Sequence, residues 1–459
     1  MERDFLVKYL AERNYWWKIG KIYEEDSGFP RREYAEMLLK ALQFNRIIAV
    51  TGIRRAGKTT ILFQLIRRLL NEGIEPKRIA YIKIDEILGK FGDMRELVSL
   101  YEEITGIDAQ KEKVHFIFDE IQYHDGWQFQ LKHLIDARYA SKFIVTGSST
   151  SLLLSQAKES LAGRLTFIDV APLLFREFAE FSSAEINLKK NTDLSIDGIR
   201  GARAKYESLL PNKEKLIHLF NEYINIGSFP EWFKVKIQDT ENPLMSWRNL
   251  LTEYFELIIH KDVIESFREK IRDPVLIEKI AREAAQFSSN RFSYSSMANR
   301  LGASKDTVRE YLFYLEASSI ISISEVYFKT KKAREKVEKK VYFCDEGLRR
   351  ALTLDYDDGK GAETAVNMHL SHLCKCVQPF KKLAYWKNSK EVDFIWEGRE
   401  IIPIEVKYQE NPWADGLLEC MERFGLKAGI LVTRDRFEVR NMEGKTILLI
   451  PAWAFLSIF

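Results

Sequence analysis

Cysteine is scarce in this 459-residue chain, which has four, at Cys344, Cys374, Cys376 and Cys420. No Cys/His set shows the paired spacing of a structural zinc site, and so few thiols speak against a disulfide scaffold and for a reduced, cytoplasmic setting. The Cys374-x-Cys376 pair reads as incidental. An excess of one charge is missing too, because 70 Lys and Arg face 67 Asp and Glu. Any basic surface for a polyanion must therefore be local. Long apolar runs are absent: the longest, the C-terminal TILLIPAWAFLSIF, is too short to span a bilayer and is broken by Pro451. It reads as a buried strand followed by a short terminal helix, and no membrane partner is expected. The stretch MERDFLVKYLAERNYWW is charged from its second residue and lacks an apolar core, so it does not read as a secretory signal. No internal repeat or low-complexity tract occurs.

What is present is a succession of patterns. The length leaves room for roughly two to four domains. From about residue 46 to 170, short β-branched or aromatic runs (RIIAV, RIAYIKI, VHFIFDE, KFIVTGS) alternate with longer helical ones (TTILFQLIRRLLNEG, MRELVSLYEEI, WQFQLKHLIDARY). Such alternation predicts crossover units and a parallel sheet with helices on both faces. A ligand is then expected at the C-terminal ends of the strands. Beyond FIDVAPLLFREFAEF the periodicity becomes helical, with residues 183 to 213 reading as a solvated excursion. Strands and helices alternate again from about residue 329.

The stretch AVTGIRRAGKTT fits the phosphate-binding loop G-x-x-x-x-G-K-[ST] through Gly52, Gly57, Lys58 and Thr59. Gly52, Arg54, Arg55, Ala56, Gly57, Lys58, Thr59 and Thr60 are the expected ATP-binding residues, their backbone N–H groups cradling phosphates at a helix start. Lys58 would reach the β and γ phosphates and Thr59 would bind Mg²⁺. VHFIFDE supplies Asp119 for the Mg²⁺ shell and Glu120 to polarise the attacking water. In KFIVTGSSTSLL, Thr146, Ser148 or Ser149 reads as a contact to the water or γ-phosphate, with a helix cap as the alternative for the serines. Arg164 follows a glycine and precedes a strand, where it completes a phosphate site or forms a surface salt bridge.

SYSSMANRLGASKDTVREYLFYLEASSII reads as two helices joined by a tight turn at Gly302, a helix-turn-helix pattern with Val308, Leu312 and Leu315 buried. Lys305, Thr307 and Arg309 would face outward toward phosphates or base edges of DNA. KTKKAREKVEKK follows, with seven basic residues against two acidic ones. It reads as a wing contacting DNA or as a solvated charged hairpin, and such units also dock proteins. Further on, EVDFIW and IIPIEVKY are separated by EGRE, which predicts a hairpin. Glu405 and Lys407 would share one strand face with Asp393 alongside, as metal-assisted phosphodiester cleavage requires: Asp393 and Glu405 for Mg²⁺ or Mn²⁺, Lys407 for the attacking water.

GIRRAGKTT, FIFDEIQ with a following Trp127, TGSSTSLL, AGRL and PLLFREF together resemble the prokaryotic ATPases of the AAA superclass that carry a C-terminal restriction-endonuclease-like domain. The resemblance covers nearly the whole chain, with its motifs in family order. Together with the patterns above it implies a multidomain α/β protein: an N-terminal segment (1–35), a P-loop ATPase core with a parallel sheet (36–170), a helical lid (171–265), a winged helix (266–328) and a PD-(D/E)xK nuclease-like α/β domain (329–459). In that pattern an acidic residue on a preceding helix joins the cluster, and Glu363 matches it. Val392 replaces the proline of the consensus. The expected function is ATP hydrolysis coupled to DNA binding and metal-dependent cleavage. The alternative is a nucleotide-controlled interaction protein with a catalytically idle C-terminal domain. A homo-oligomer, in which Arg164 reaches a neighbour's phosphate, and a protein partner are compatible with either.

Overall fold

In the computed structural model, which describes residues 2–148, 153, 161, 163–183, 185–186, 188, 193–327, 338–377, 382–410, 412–442 and 444–459, the chain divides into two compact units, 1–170 and 171–459. The first begins with four helices, α1 (Glu2–Arg13), α2 (Trp16–Ile19), α3 (Glu24–Ser27) and α4 (Arg32–Ala41). There follow β1 (Ile47–Thr51), α5 (Lys58–Asn71), β2 (Ile79–Lys83), α6 (Met94–Thr105), β3 (His115–Asp119), α7 (Trp127–Asp136), β4 (Lys142–Gly147) and β5 (Leu165–Asp169). The five strands form one sheet in the order β2-β3-β4-β1-β5, and every pairing is parallel. The apolar runs are buried because both faces of such a sheet are covered. Ala49, Ile82, Phe116, Phe118 and Val145 pack in one cluster with Leu6, Leu10, Leu97, Tyr101, Trp127 and Leu131. Side-chain alternation turns Ile48, Val50, Ile117 and Ile144 to the other face, where they are also buried.

The second unit opens with five helices: Phe175–Ser182, Ile196–Leu209, Lys213–Ile226, Trp232–Gln238 and Pro243–Leu257, the last running on as a π-helix over Ile258–Ile264. The stretch expected as a solvated excursion therefore contains a 14-residue helix, Ile196–Leu209, capped by Ser195 and burying Ile199, Ala202 and Leu209. Next come the helix Pro274–Gln286, β6 (Arg291–Phe292), the helices Tyr294–Leu301 and Lys305–Ala317, β7 (Ile321–Val326) and β8 (Lys339–Phe343). Both β6 and β7 pair antiparallel with β8. The boundary expected at 328/329 thus falls inside one ladder.

After the helices Glu346–Thr353 and Asp358–Val377 come β9 (Ala384–Lys387), β10 (Glu391–Glu397), β11 (Ile401–Lys407), the helix Asp415–Phe424, β12 (Ala428–Thr433), β13 (Glu438–Met442), β14 (Lys445–Pro451) and a final helix, Ala452–Ile458. One nine-stranded sheet runs β13-β14-β12-β11-β10-β9-β7-β8-β6. Its junction is the parallel pairing of Glu325 with Ala384. The hairpin β10–β11 forms as the EGRE turn predicts. TILLIPAWAFLSIF is a buried strand and a buried terminal helix, as its composition predicts. Among the described residues no helix is long and apolar enough to cross a membrane.

Candidate functional site

The glycine spacing of the loop after β1 has a steric cause. Gly52 has φ 141°, and a Cβ there would lie 2.1 Å from the Val170 carbonyl oxygen. Gly57 has φ 95° and begins α5 with no side-chain cap, so the first N–H groups of that helix are left for a ligand. Arg55 also takes a left-handed conformation, φ 69°, which costs a non-glycine residue on the order of 1 kcal/mol or more. The Lys58 ammonium lies inside the loop and donates to the carbonyls of Gly52 at 2.9 Å and Ile53 at 3.4 Å. Arg54 donates to the Tyr123 hydroxyl at 3.2 Å.

At the C-terminal end of β3, Asp119 is fully buried. Its Oδ2 accepts from Thr59 Oγ1 at 2.9 Å and from the Tyr81 hydroxyl at 2.7 Å, and its Oδ1 accepts from Thr146 Oγ1. Burial pushes this carboxyl up, the Glu120 charge adds to the effect, and the three hydroxyl donors hold it back. Glu120 stands just past the strand at φ 56°, its N–H donating to Thr146 Oγ1 at 2.9 Å and its Oε2 accepting from Gln122 Nε2 at 2.6 Å. Thr146 therefore ties Asp119 to Glu120. Ser148 is 2 % exposed and its Oγ has no hydrogen-bond partner among the described residues. That orphaned hydroxyl suits a phosphate or water contact. Ser149 lies outside the described residues.

These groups fit Mg²⁺·ATP. They comprise a loop that runs into an uncapped helix start, a cation beside it, and a threonine hydroxyl opposite a carboxylate. The arginine expected to complete the site needs correcting. Arg164 pairs with Asp136 on the surface, and it precedes Leu165, which pairs with Ile47 at the start of β1. It thus lies at the N-terminal edge of the sheet, a strand length from this chain's own phosphate loop. Tyr81 is a residue that the sequence pattern does not single out. Its signal, an aromatic residue in a strand run, is that of any core position.

In the second unit, the helices Tyr294–Leu301 and Lys305–Ala317 meet at Gly302, φ 63°, with Ser293 and Ser304 as caps. Val308, Leu312 and Leu315 are buried, Lys305 and Arg309 exposed, and Thr307 bonds Ser304. Residues 328–337, most of the expected basic hairpin, lie outside the described residues. Its last two lysines depart from a solvated or DNA-contacting role, because Lys339 and Lys340 are buried in β8.

Lys340 is the centre of the C-terminal cluster. Its ammonium lies 2.7 Å from Asp393 Oδ1, 2.7 Å from Glu391 Oε1 and 3.0 Å from Glu363 Oε1. Burial works against its charge, but Asp393, Glu363 and Glu391 outweigh it and hold the ammonium well above its ordinary value. Glu363 also accepts from the Tyr342 hydroxyl at 2.7 Å. Asp393 Oδ2 takes the N–H of Val406 at 2.8 Å, and Glu405 Oε2 that of Leu417 at 3.0 Å. Lys407 pairs with Glu405 Oε1 at 3.2 Å. Burial first, then the Asp393 charge, raises Glu363 to about 7, against the pull of Lys340. Burial likewise raises Glu405 to about 7, with Lys407 pulling back and Asp393 adding.

The four expected residues therefore do come together, on one helix and two neighbouring strands. The cation beside Asp393 and Glu363 is Lys340, from the stretch that reads as a wing in the sequence. Among the described residues no group of three or more His, Cys, Asp and Glu side chains is arranged to hold a metal ion. The expected pairing of Asp393 and Glu405 on one divalent ion is corrected to that extent: one oxygen of each is committed to a backbone N–H, and the next to Lys340 or Lys407.

Residues 44–179 match the AAA domain family. Residues 217–358 and 358–455 match two domains of unknown function, DUF8612 and DUF4143. The chain is 30% identical over 434 residues to the uncharacterized protein MJ1637 of Methanocaldococcus jannaschii, covering 90% of this chain and 85% of that one. It is 25% identical over 434 residues to an uncharacterized protein of Haemophilus influenzae, covering 92% and 98% respectively. Among solved structures it is similar to the Walker-type ATPase PABY2304 of Pyrococcus abyssi, with 18% identity, a TM-score of 0.44, and coverage of 72% of this chain and 97% of that one.

Proposed function

The chain belongs to the family of the uncharacterized protein MJ1637, and we propose that its P-loop ATPase core binds Mg²⁺·ATP and hydrolyses it. The observation that carries this reading is the buried Asp119 carboxylate, held opposite Thr59 by three hydroxyl donors at the strand end beside the loop. Loop N–H groups and Lys58 bind the phosphates, and Thr59 and Asp119 hold the metal's shell. A bound Mg²⁺ supplies charge neutralisation at the β and γ phosphates. Glu120, placed by its N–H bond to Thr146, orients the attacking water, and Ser148 contacts that water or the γ-phosphate. The test is ATP turnover with Mg²⁺. Lys58→Ala should abolish binding, and Glu120→Gln should bind without turnover. Wild-type hydrolysis by Glu120→Gln would sink the assignment of the water-orienting group.

The second part of the proposal is that nucleotide state governs DNA binding by the second unit. Support comes from the capped helix pair around Gly302 and the exposed Lys305 and Arg309 at the start of its second helix, a helix pair of the kind whose second helix can enter a major groove. For the nuclease-like domain two outcomes compete. Asp393, Glu405, Lys407 and Glu363 on one face support cleavage with Mg²⁺ or Mn²⁺. A catalytically idle domain in a nucleotide-controlled switch, acting on DNA or on a protein, is favoured by Lys340, which already pairs with Glu363, Glu391 and Asp393. Incubation with single-stranded and duplex DNA, with either metal and with or without ATP, separates these readings. Cleavage that Asp393→Ala and Lys407→Ala abolish supports the nuclease, ATP-dependent retention of intact DNA supports the switch, and no affinity for nucleic acid supports a protein partner. Arg164 remains a residue for a neighbouring subunit only if the active form is an oligomer, which sedimentation with and without ATP tests.

A further inference from the structure

The AAA domain match begins at residue 44, yet the segment before it is built into the phosphate site of the same unit. Asn14 treats the edge of β2 as a neighbouring strand would: its Nδ2 donates to the Tyr81 carbonyl at 2.9 Å and its Oδ1 accepts the Tyr81 N–H at 2.6 Å. Tyr81 is the residue whose hydroxyl reaches Asp119. Gln64 of α5 holds the link between α3 and α4 with three bonds, donating to the carbonyls of Ser27 at 2.7 Å and Phe29 at 2.6 Å and accepting the Arg31 N–H at 2.9 Å. A Cβ on Gly28 would meet Thr60 at 3.2 Å, so the link packs against the first turn of α5. Arg31 is 2 % exposed, its guanidinium lies over the Tyr34 ring at 4.5 Å, and Nη1 donates to the Ala56 carbonyl at 2.7 Å.

We propose that Arg31 is a positioning residue of the ATP site, fixing the phosphate loop in its binding shape by holding the Ala56 carbonyl. The peptide unit is planar and trans, so its carbonyl and its N–H point in opposite directions. A donor on the Ala56 oxygen therefore sets where the Gly57 N–H points. Gly57, at φ 95°, has little steric resistance of its own to a flip of that peptide. A buried guanidinium on the outer side of the loop supplies the resistance and adds a positive charge beside a polyanion site.

The inference rests on the reading that residues 52–59 bind the phosphates of ATP. The test uses the full chain and measures KM and kcat for ATP together with the urea midpoint without nucleotide. Arg31→Met keeps the aliphatic stem on Tyr34 and should raise KM about tenfold, ~1.4 kcal/mol, with kcat changed far less. Arg31→Lys retains one donor for the carbonyl and should recover most of that loss, to within about threefold of wild type, with an unchanged midpoint. The exposed neighbour Arg32→Ala should leave both constants alone. Wild-type KM in Arg31→Met, while Lys58→Ala abolishes binding, overturns the inference and leaves the loop reading intact. If Lys58→Ala still hydrolyses ATP, the loop reading fails and the inference falls with it. If Arg31→Met does not fold, Arg31→Lys decides: a wild-type KM overturns the proposal and a raised KM at an unchanged midpoint supports it.

Discussion

Asp119 is buried with no cation in contact among the described residues, and its charge depends on hydroxyl groups from three different elements: Thr59 on α5, Thr146 on β4 and Tyr81 on β2. A carboxylate so placed is costly unless each donor is kept. Tyr81→Phe should therefore leave the fold intact but weaken Mg²⁺·ATP binding several-fold, because Asp119 then takes up a proton more readily and holds the metal shell less well. Titration with a fluorescent ATP analogue at several Mg²⁺ concentrations checks this, and an unchanged dependence on Mg²⁺ would show that Thr59 and Thr146 suffice. Glu120→Gln at the next position should keep binding and lower kcat by about 10²-fold or more, the range for loss of a positioned base. The two roles separate in rapid-mixing measurements of binding and turnover.

At the scale of single elements, β8 departs furthest from expectation. Its alternation places Lys340 and Tyr342 on the face shared with Glu363 and Asp393, so a lysine read as part of a solvated wing is the internal counter-ion of a buried acidic cluster. Lys340→Met leaves those carboxylates without their cation and should cost about 3–5 kcal/mol, read as a lowered urea midpoint of the second unit. If millimolar Mg²⁺ or Mn²⁺ restores that midpoint, the cluster accepts a divalent ion once the lysine is gone, and the cleavage reading gains. If neither does, the cluster is a structural polar core. The pH dependence follows from the same carboxyls. Glu363 and Glu405 are raised from 4.5 to about 7 in the folded unit. Between those values the folded unit keeps protons that the unfolded chain has released, so their contribution to stability falls as pH rises through the window and levels off above it. Urea midpoints from pH 4.5 to 8 should show that fall, and Glu363→Gln with Glu405→Gln should flatten it. A profile unchanged by both substitutions would contradict the raised values.

For the whole molecule, legibility followed the range of the interactions. The phosphate loop, Asp119 with Glu120, the hairpin carrying Asp393 and Glu405, and the buried end at TILLIP were readable because each depends on neighbours within a few residues or on the periodicity of one element. Arg31, Tyr81 and Lys340 were not. Each acts on residues tens of positions away, through a register or an edge pairing that composition does not encode. Arg164 misled for the same reason: a glycine before a strand has one appearance at either end of a sheet, and only the parallel register with β1 places it at the wrong one.

If nucleotide state governs DNA binding, Glu120→Gln with ATP holds the protein in its triphosphate state, and its DNA affinity should differ from that of the ADP-bound and nucleotide-free wild type by at least severalfold. The contact itself should be electrostatic. Lys305→Glu with Arg309→Glu should weaken binding on every DNA sequence, and the logarithm of the affinity should fall linearly with the logarithm of salt concentration, more shallowly in the variant because fewer phosphates are neutralised. Fluorescence anisotropy across a salt series reads both effects. Equal affinities in all three nucleotide states would break the proposed coupling while leaving the ATPase intact. An unchanged salt slope in the charge-reversed protein would remove Lys305 and Arg309 from the phosphate contact, because the slope counts the phosphates that cations neutralise.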